Sequence, residues 1–290
     1  MLDTYIAWQK QHHVPLFESA GVWWWVYKGI LVPASLKPQP VQVDRSAARR
    51  VLAQSGAHLA RFFSRTSTGP TEFWYVECRE YDLEKLSPKL RKHVRRAHRD
   101  SSVRPISATW FAENGYHCYS AAFSRHKNGR PDSQELFQQK CLECAGGPFE
   151  FWGAFVGDAL AAFAKCVVGD DYVSLVMFKF DPQFSSANAT YALLDTILQT
   201  YVAEQHKPVN NGSRSLSHDT NMQEFVLKFG FRCIYTDLQV IYRPPLGYLI
   251  GLLYPFSPFI NRLSLPRPAA ALKTLLRQEQ IRRSCLQLTT

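Results

Sequence analysis

The chain has 290 residues, 46% hydrophobic and 20% charged, with a formal net charge of +10 from 34 lysines and arginines against 24 acids. This is an ordinary globular composition, long enough for one or two domains with a full core, and its charge favours polyanionic ligands or partners without choosing among them. Several chemistries lack their motifs: there is no GxxxxGK[ST] loop, no dinucleotide fingerprint after a strand, no HExxH and no G-x-S-x-G elbow. The histidines do not stand with acids at metal-ligand spacing, so no metal site is expected. Seven cysteines, an odd number without a disulfide framework, and a start (MLDTYIAWQKQHH) without an apolar run lead to the expectation of a reducing, cytoplasmic setting.

Residues 1–20 read as a short helix or extended arm. GVWWWVYKGILVP is a hairpin turning at Lys28-Gly29, and three consecutive tryptophans cannot all face one side of a strand. One must cover a second layer or line a pocket, and Trp25 is the candidate for substrate contact. Residues 44–63 read as a helix with Val51, Leu52, Leu59, Phe62 and Phe63 on an uneven apolar face, and TEFWYVECREYDL as a strand.

The densest charge follows in LSPKLRKHVRRAHRD. Ser87 can cap a helix, Pro88 suits its first turn, and Leu90, Val94 and Ala97 mark the inward stripe. Lys89, Lys92, Arg96 and Arg99 then share one side, with Arg91 and Arg95 on another. That side is either a solvated surface or a contact for an anionic partner. Two more helical segments span 108–144, divided by SRHKNGRPDS; Cys141-x-x-Cys144 has no second pair to complete a zinc site and reads as structural.

Three apolar runs, FEFWGAFV, ALAAFAKCVV and YVSLVMFKF, are punctuated by Gly157-Asp158 and Gly169-Asp170-Asp171, which predicts an antiparallel meander over 149–180. The period then lengthens. A helix is predicted to start near 186–190, with Ser185 or Ser186 as cap and Leu193, Leu194, Ile197, Leu198, Tyr201 and Val202 inward. The connection NNGSRSLSHDTN holds Gly212 for a tight turn and Ser213, Arg214, Ser215 and Ser217 to cradle an anion, with the Arg214 guanidinium able to fork to phosphate or carboxylate. His218 reads as a base or substrate contact, or as loop structure; Asp219 reads as the cap of a helix over 219–229, or as a base. Residues 231–242 are expected to return to the same sheet.

The uncharged run 247–260 is too short for a membrane span and contains Pro255 and Pro258. It can pack on the first domain, mediate a dimer, or rest on a membrane interface, which flanking Arg243 and Arg262 would suit. ALKTLLRQEQIRRS closes the chain as an amphipathic helix.

From about residue 70 to 243, the order meander, helix, connection, helix, strand resembles the fold of GCN5-related N-acetyltransferases (GNAT). With LSPKLRKHVRRAHRD ahead of the meander, it is more similar to the branch of FemAB-type aminoacyl transferases and related acetyltransferase-like domains. The resemblance implies an α/β fold with a splayed, mostly antiparallel mixed sheet and flanking helices. It divides the chain into 1–100, a smaller region similar to a degenerate first copy, 101–246, the acyltransferase domain, and 247–290, the apolar segment and last helix.

The function implied is transfer of an acyl or aminoacyl group from acyl-CoA, an acyl-carrier protein or an aminoacyl-tRNA to an amine or similar nucleophile. The donor is a cosubstrate, with no permanently bound cofactor. Ser185, Ser186, Asn188, Ala189 and Thr190 fall on the donor's phosphate loop, with Ser185 at its arginine-like position and Asn188 and Thr190 at its two key glycines. His218 and Asp219 are the catalytic candidates; Trp25, Arg214 and Ser217 are substrate contacts; Lys89, Lys92, Arg96 and Arg99 are partner contacts for an acidic carrier or tRNA. Asp219 stands where the family has asparagine, and Val226 where it has a proton-donating tyrosine. The competing reading is a non-catalytic interaction module, monomeric or homodimeric, cytoplasmic or peripheral to the inner face of a membrane.

Overall fold

The computed structural model describes residues 3–125, 129–216, 221–263 and 267–287. Helix α1 (Thr4–Gln11) leads into strands β1 (Leu16–Ser19), β2 (Val22–Tyr27) and β3 (Ile30–Pro33). The two tight turns between these strands use left-handed backbone, with φ of 52° and 75° at Ala20-Gly21 and 49° and 77° at Lys28-Gly29, which matches the right-handed twist of paired strands. Alternation sorts the tryptophans: Trp24 is fully buried edge-on against Phe62, while Trp25 stands on the other face beside Tyr27.

Helix α2 (Arg45–Ser55) is capped by Asp44, whose carboxylate accepts from the Ser46 and Ala47 amides. The helix expected over 44–63 stops early. Gly56 takes a left-handed cap, and Leu59–Phe62 becomes strand β4, with Leu59, Ala60 and Phe62 buried. Strand β5 (Phe73–Cys78) precedes α3 (Pro88–Asp100), where Ser87 accepts from the Leu90 amide and Leu90, Val94 and Ala97 are buried as the spacing predicts. Then come β6 (Ser102–Ile106), α4 (Ala108–Asn114), α5 (Tyr116–Ala121) and α6 (Gln134–Leu142).

The meander forms as predicted: β7 (Phe149–Val156), β8 (Ala159–Val168) and β9 (Val173–Phe180) pair antiparallel in sequence. A 3-10 turn over Pro182–Ala187 leads to α7 (Ala189–Leu198), which continues into a π-helical turn over Gln199–Glu204. Strand β10 (Val209–Ser213), helix α8 (Asn221–Leu227), and strands β11 (Arg232–Thr236) and β12 (Gln239–Tyr242) follow. The chain ends in α9 (Pro244–Leu253), a 3-10 turn (Tyr254–Phe256), α10 (Ser257–Arg262) and α11 (Arg267–Gln287).

The chain forms two compact units, each assembled from separate stretches. The first comprises Met1–Trp8, Glu77–Gly212 and Glu224–Arg232. Its sheet runs β10-β9-β8-β7-β6, parallel between β9 and β10 and antiparallel elsewhere. Pro105 is tolerated because β6 lies at the sheet edge, where a missing amide breaks no central ladder. Helix α7 packs on β7 and β8 through a wholly buried stripe of Leu193, Leu194, Ile197 and Leu198. A separate core joins α4, α5 and α6 to β7 and β8 around Phe111, Phe137, Phe151 and Phe163.

The second unit comprises Gln9–Val76, Ser213–Gln223 and Cys233–Thr290. Its five-stranded sheet runs β1-β2-β3-β4-β12, and β11 neighbours β5. The expectation that 231–242 returns to the meander's sheet needs correction for its last strand: Gln239–Tyr242 pairs antiparallel with Leu59–Phe62. Buried Asp237 is the pivot, accepting from the Ser64 and Arg65 amides and the Ser64 hydroxyl just before β12 begins. Helix α11 adds Ile281 and Cys285 to a core with Leu59, Phe73 and Leu238. Burial would raise the Glu279 carboxyl on α11, but Arg282 and Arg283, at 2.7 and 2.8 Å, hold its pKa below the usual value.

Candidate functional site

Strands β9 and β10 begin as a pair and then part. Val173 aligns with Val209 and Ser174 with Asn210, where Asn210 accepts from the Ser174 hydroxyl at 3.1 Å and donates to Val173 O at 3.2 Å. Asn211 Nδ2 reaches Leu175 O at 3.1 Å. Beyond that, β10 offers no register partner to 176–180 among the described residues, and Val176 is exposed. A strand with no ladder partner on one side is a template for an extended ligand. Phe178 of β9 is not fully buried, and its ring lies tilted at 6.1 Å from Phe225 of α8.

Where β9 ends, a cavity of about 190 Å³ opens between Ala161, Phe180, Phe184, Ser185, Asn188, Ala189, Thr190 and Tyr191. Between the lining residues Phe180 and Phe184 in sequence stands Asp181, a buried carboxylate that caps the 3-10 turn, accepts from Gln183 N and Nε2 at 3.0 and 2.8 Å, and lies 3.3 Å from His117 Nε2. Four of the five residues expected on a donor loop, Ser185, Asn188, Ala189 and Thr190, line this cavity; Ser186 does not. Neither serine caps α7. Asn188 is the cap, with φ 55° and ψ 28°, and its side chain makes no capping bond to the first turn, where helix amides suit an anion.

Asn188, expected from the resemblance at a glycine position, has the left-handed backbone that glycine adopts readily. Asparagine is the non-glycine residue that tolerates this region best, and here its Nδ2 bonds Ser186 O at 3.2 Å. Asn188→Gly is expected to leave the unfolding midpoint nearly unchanged, while Asn188→Ala costs about 1 kcal/mol, both measured by thermal unfolding.

Tyr191 is the residue the sequence reading missed. It lines the cavity, and its ring lies 5.4 Å from His93 of α3 and 5.1 and 5.9 Å from Phe225 and Phe229 of α8. Val226, at the family's tyrosine position, is wholly buried. A phenol is therefore present beside the cavity, carried by α7 instead of α8. The only sequence signal was a tyrosine one turn past the left-handed cap.

Helix α3 is locked to α7 by buried Asp195, which accepts from Tyr81 Oη at 2.5 Å and lies 2.8 Å from His98 Nε2. Burial, followed by Asp195, drives the Tyr81 hydroxyl well above the ordinary phenol range, so it remains a donor. Asp195→Ala should cost about 1–3 kcal/mol in chemical unfolding, because a buried hydroxyl loses its acceptor; Asp195→Asn should recover part of this.

The lock presents Lys89, Lys92, Arg96 and Arg99 on the exposed side of α3. Arg96 pairs with Asp100 at 3.2 Å, and Arg91 and Arg95 both grip Glu84 at 3.0 and 2.7 Å. Trp25 and Arg214 belong to the second unit. There Arg214 donates from Nη1 to Glu72 O at 2.7 Å, which spends part of its fork. Ser217, His218 and Asp219 lie outside the described residues. The cysteines are poor nucleophiles where burial governs them: it pushes the Cys78, Cys118 and Cys141 thiols up to about 12. Cys144 receives a hydrogen bond from Lys165 Nζ at 2.9 Å, in keeping with a structural Cys-x-x-Cys.

No protein-family profile matches the sequence, and no curated protein matches it. Solved structures do resemble it. L-PGS from Bacillus licheniformis is 13% identical over 94% of this chain and 96% of its own, with a TM-score of 0.52. The C-terminal domain of a protein assigned as a lysylphosphatidylglycerol synthetase from Agrobacterium fabrum is 11% identical over 82% and 88%, with a TM-score of 0.51. FemX is 8% identical over 79% and 85%, also at 0.51. At these identities the likeness is one of fold: a mixed α/β fold with flanking helices and mostly antiparallel mixed sheets, consistent with a GNAT-like architecture.

Proposed function

We propose that this protein is an acyltransferase that passes an acyl or aminoacyl group from an activated donor to an amine or similar nucleophile. The observation that carries the reading is the parting of β9 from β10 together with a cavity at the uncapped start of α7. An extended donor arm can hydrogen-bond along the open side of β9, and its anionic part can meet the free amides of α7. The name of one fold neighbour, a lysylphosphatidylglycerol synthetase, supports keeping aminoacyl donors beside acyl-CoA among the proposed cosubstrates.

In the reaction, the nucleophile forms a bond to the donor's carbonyl carbon and loses a proton, and the bond from that carbon to sulfur or oxygen breaks. Tyr191 is the proposed donor of the proton that the leaving group takes up. Orientation along the sheet supplies the rest. His218 and Asp219 remain the proposed groups for activating the nucleophile, and Trp25, Arg214 and Ser217 its proposed contacts. Lys89, Lys92, Arg96 and Arg99 are proposed to recruit the anionic carrier of the acyl group, acyl-carrier protein or tRNA, through screened surface charge.

Isothermal titration with acetyl-CoA, long-chain acyl-CoA, an acyl-carrier protein and aminoacyl-tRNA tests the proposal. One of these is expected to bind, and Thr190→Trp, which fills the cavity, should abolish that binding. Lys92→Glu combined with Arg96→Glu should weaken a macromolecular carrier and leave acetyl-CoA unaffected. Binding of none of them would reduce the protein to the non-catalytic module that the Phe178–Phe225 contact across the opening favours.

A further inference from the structure

The chain is helical from 244 to 262 through α9, the 3-10 turn and α10, and this stretch is apolar on both sides. The inward side is explained. Ile250 is 1% exposed, Leu246 packs on the second unit's core, and α9 and α10 both rest on α11. The outward side is not. Tyr248 is 80% exposed, Leu252 70%, Phe256 59% and Phe259 66%, with Leu249 and Leu263 also exposed. Steps of three and four residues from 248 to 263 align these groups in one stripe facing water. A helix apolar all round needs cover on every side, and here protein covers one side only.

Charge chooses the cover. From Leu238 to Gln278 the sequence holds no aspartate or glutamate, yet it carries Arg243, Arg262, Arg267, Lys273 and Arg277. The next acid, Glu279, is already neutralised by Arg282 and Arg283. Two copies meeting through this stripe would bring two such cationic segments together, which disfavours a self-association face. Aromatic and leucine side chains framed by arginines and lysines fit the boundary between anionic headgroups and acyl chains. The segment cannot cross that boundary. Pro255 and Pro258 interrupt it, and no helix among the described residues is long and apolar enough to span a membrane.

We propose that the stripe of Tyr248, Leu249, Leu252, Phe256, Phe259 and Leu263 is a docking surface that lies in the plane of an anionic lipid membrane. It stands independently of the acyl-transfer reading. The test is cosedimentation of the full chain with vesicles of equal parts phosphatidylglycerol and phosphatidylcholine, and with phosphatidylcholine alone. The chain is expected to pellet with the anionic vesicles and far less with the neutral ones. The combined variant Leu252→Ser, Phe256→Ser, Phe259→Ser should bind the anionic vesicles at least about tenfold more weakly, since each buried methylene contributes several-fold to partitioning. Its thermal midpoint should be unchanged, because all three side chains already face water, and its donor titration should match the parent's. The proposal is overturned if the parent stays in the supernatant with both vesicles, or if the variant binds as the parent does. It is also overturned if the parent is a dimer without lipid and the variant a monomer, which would assign the stripe to a second copy.

Discussion

Tyr191→Phe is expected to lower kcat about 100-fold and to leave the donor's dissociation constant within about twofold, the scale for removal of a general acid. The ring remains, so its packing against His93, Phe225 and Phe229 remains with it, and only the hydroxyl beside the cavity is lost. The diagnostic readout is the leaving group. A donor whose leaving thiol or alcohol is already acidic needs little proton transfer, so the variant's defect should shrink with such donors; a purely structural role for the hydroxyl would impair all donors equally. Full activity of the variant with a poor leaving group would remove Tyr191 from the mechanism. Val226→Tyr should not restore the family's arrangement, because Val226 has no exposed surface from which a phenol could reach a substrate.

Phe111→Ala should destabilise the protein by about 3–5 kcal/mol in chemical unfolding, the range for truncating a large buried aromatic. Phe111 is 1% exposed, with ring centroids at 4.6 Å from Phe163, 5.1 Å from Phe151 and 5.2 Å from Phe137, so one side chain ties α4 and α6 to both β7 and β8. The site is too tight to collapse easily. A Cβ added at Gly115 would stand 2.3 Å from the Phe111 ring, so α4 can join α5 there only through glycine. Because Ala161 on β8 accepts from the Asp181 amide and lines the cavity, loosening β8 should also weaken donor binding. Leu142→Ala, at a half-exposed leucine, is the control and should change stability by no more than about 0.5 kcal/mol.

Local chemistry alone determined much of this protein. Gly157-Asp158 closes a two-residue turn with Val156 opposite Ala159, which fixes the register of the meander; Leu193, Leu194, Ile197 and Leu198 are buried where their spacing placed them. The basic side of α3 was legible for the same reason: helical period dictates which side chains share a side, and solvated charge needs no distant partner. The turn ahead of α7 was legible in part: four of the five residues singled out there line one cavity, and Asn188 takes a left-handed backbone.

Tertiary structure decided what depends on distant partners. The apolar run after Gly56 suits a helix or a buried strand equally, and only pairing with β3 on one side and β12 on the other makes it β4. Trp24 and Trp25 cannot be ranked in sequence, because which alternate face is interior depends on Phe62 arriving from another strand. The proposed proton donor was hidden for a related reason. In sequence Tyr191 is one more residue of an amphipathic helix, and it becomes a candidate acid only when α3 and α8 set His93, Phe225 and Phe229 around it. The outward stripe of α9 and α10 is the converse case. Its hydrophobicity is written in the sequence, but whether protein covers a given side is a property of the packed chain alone.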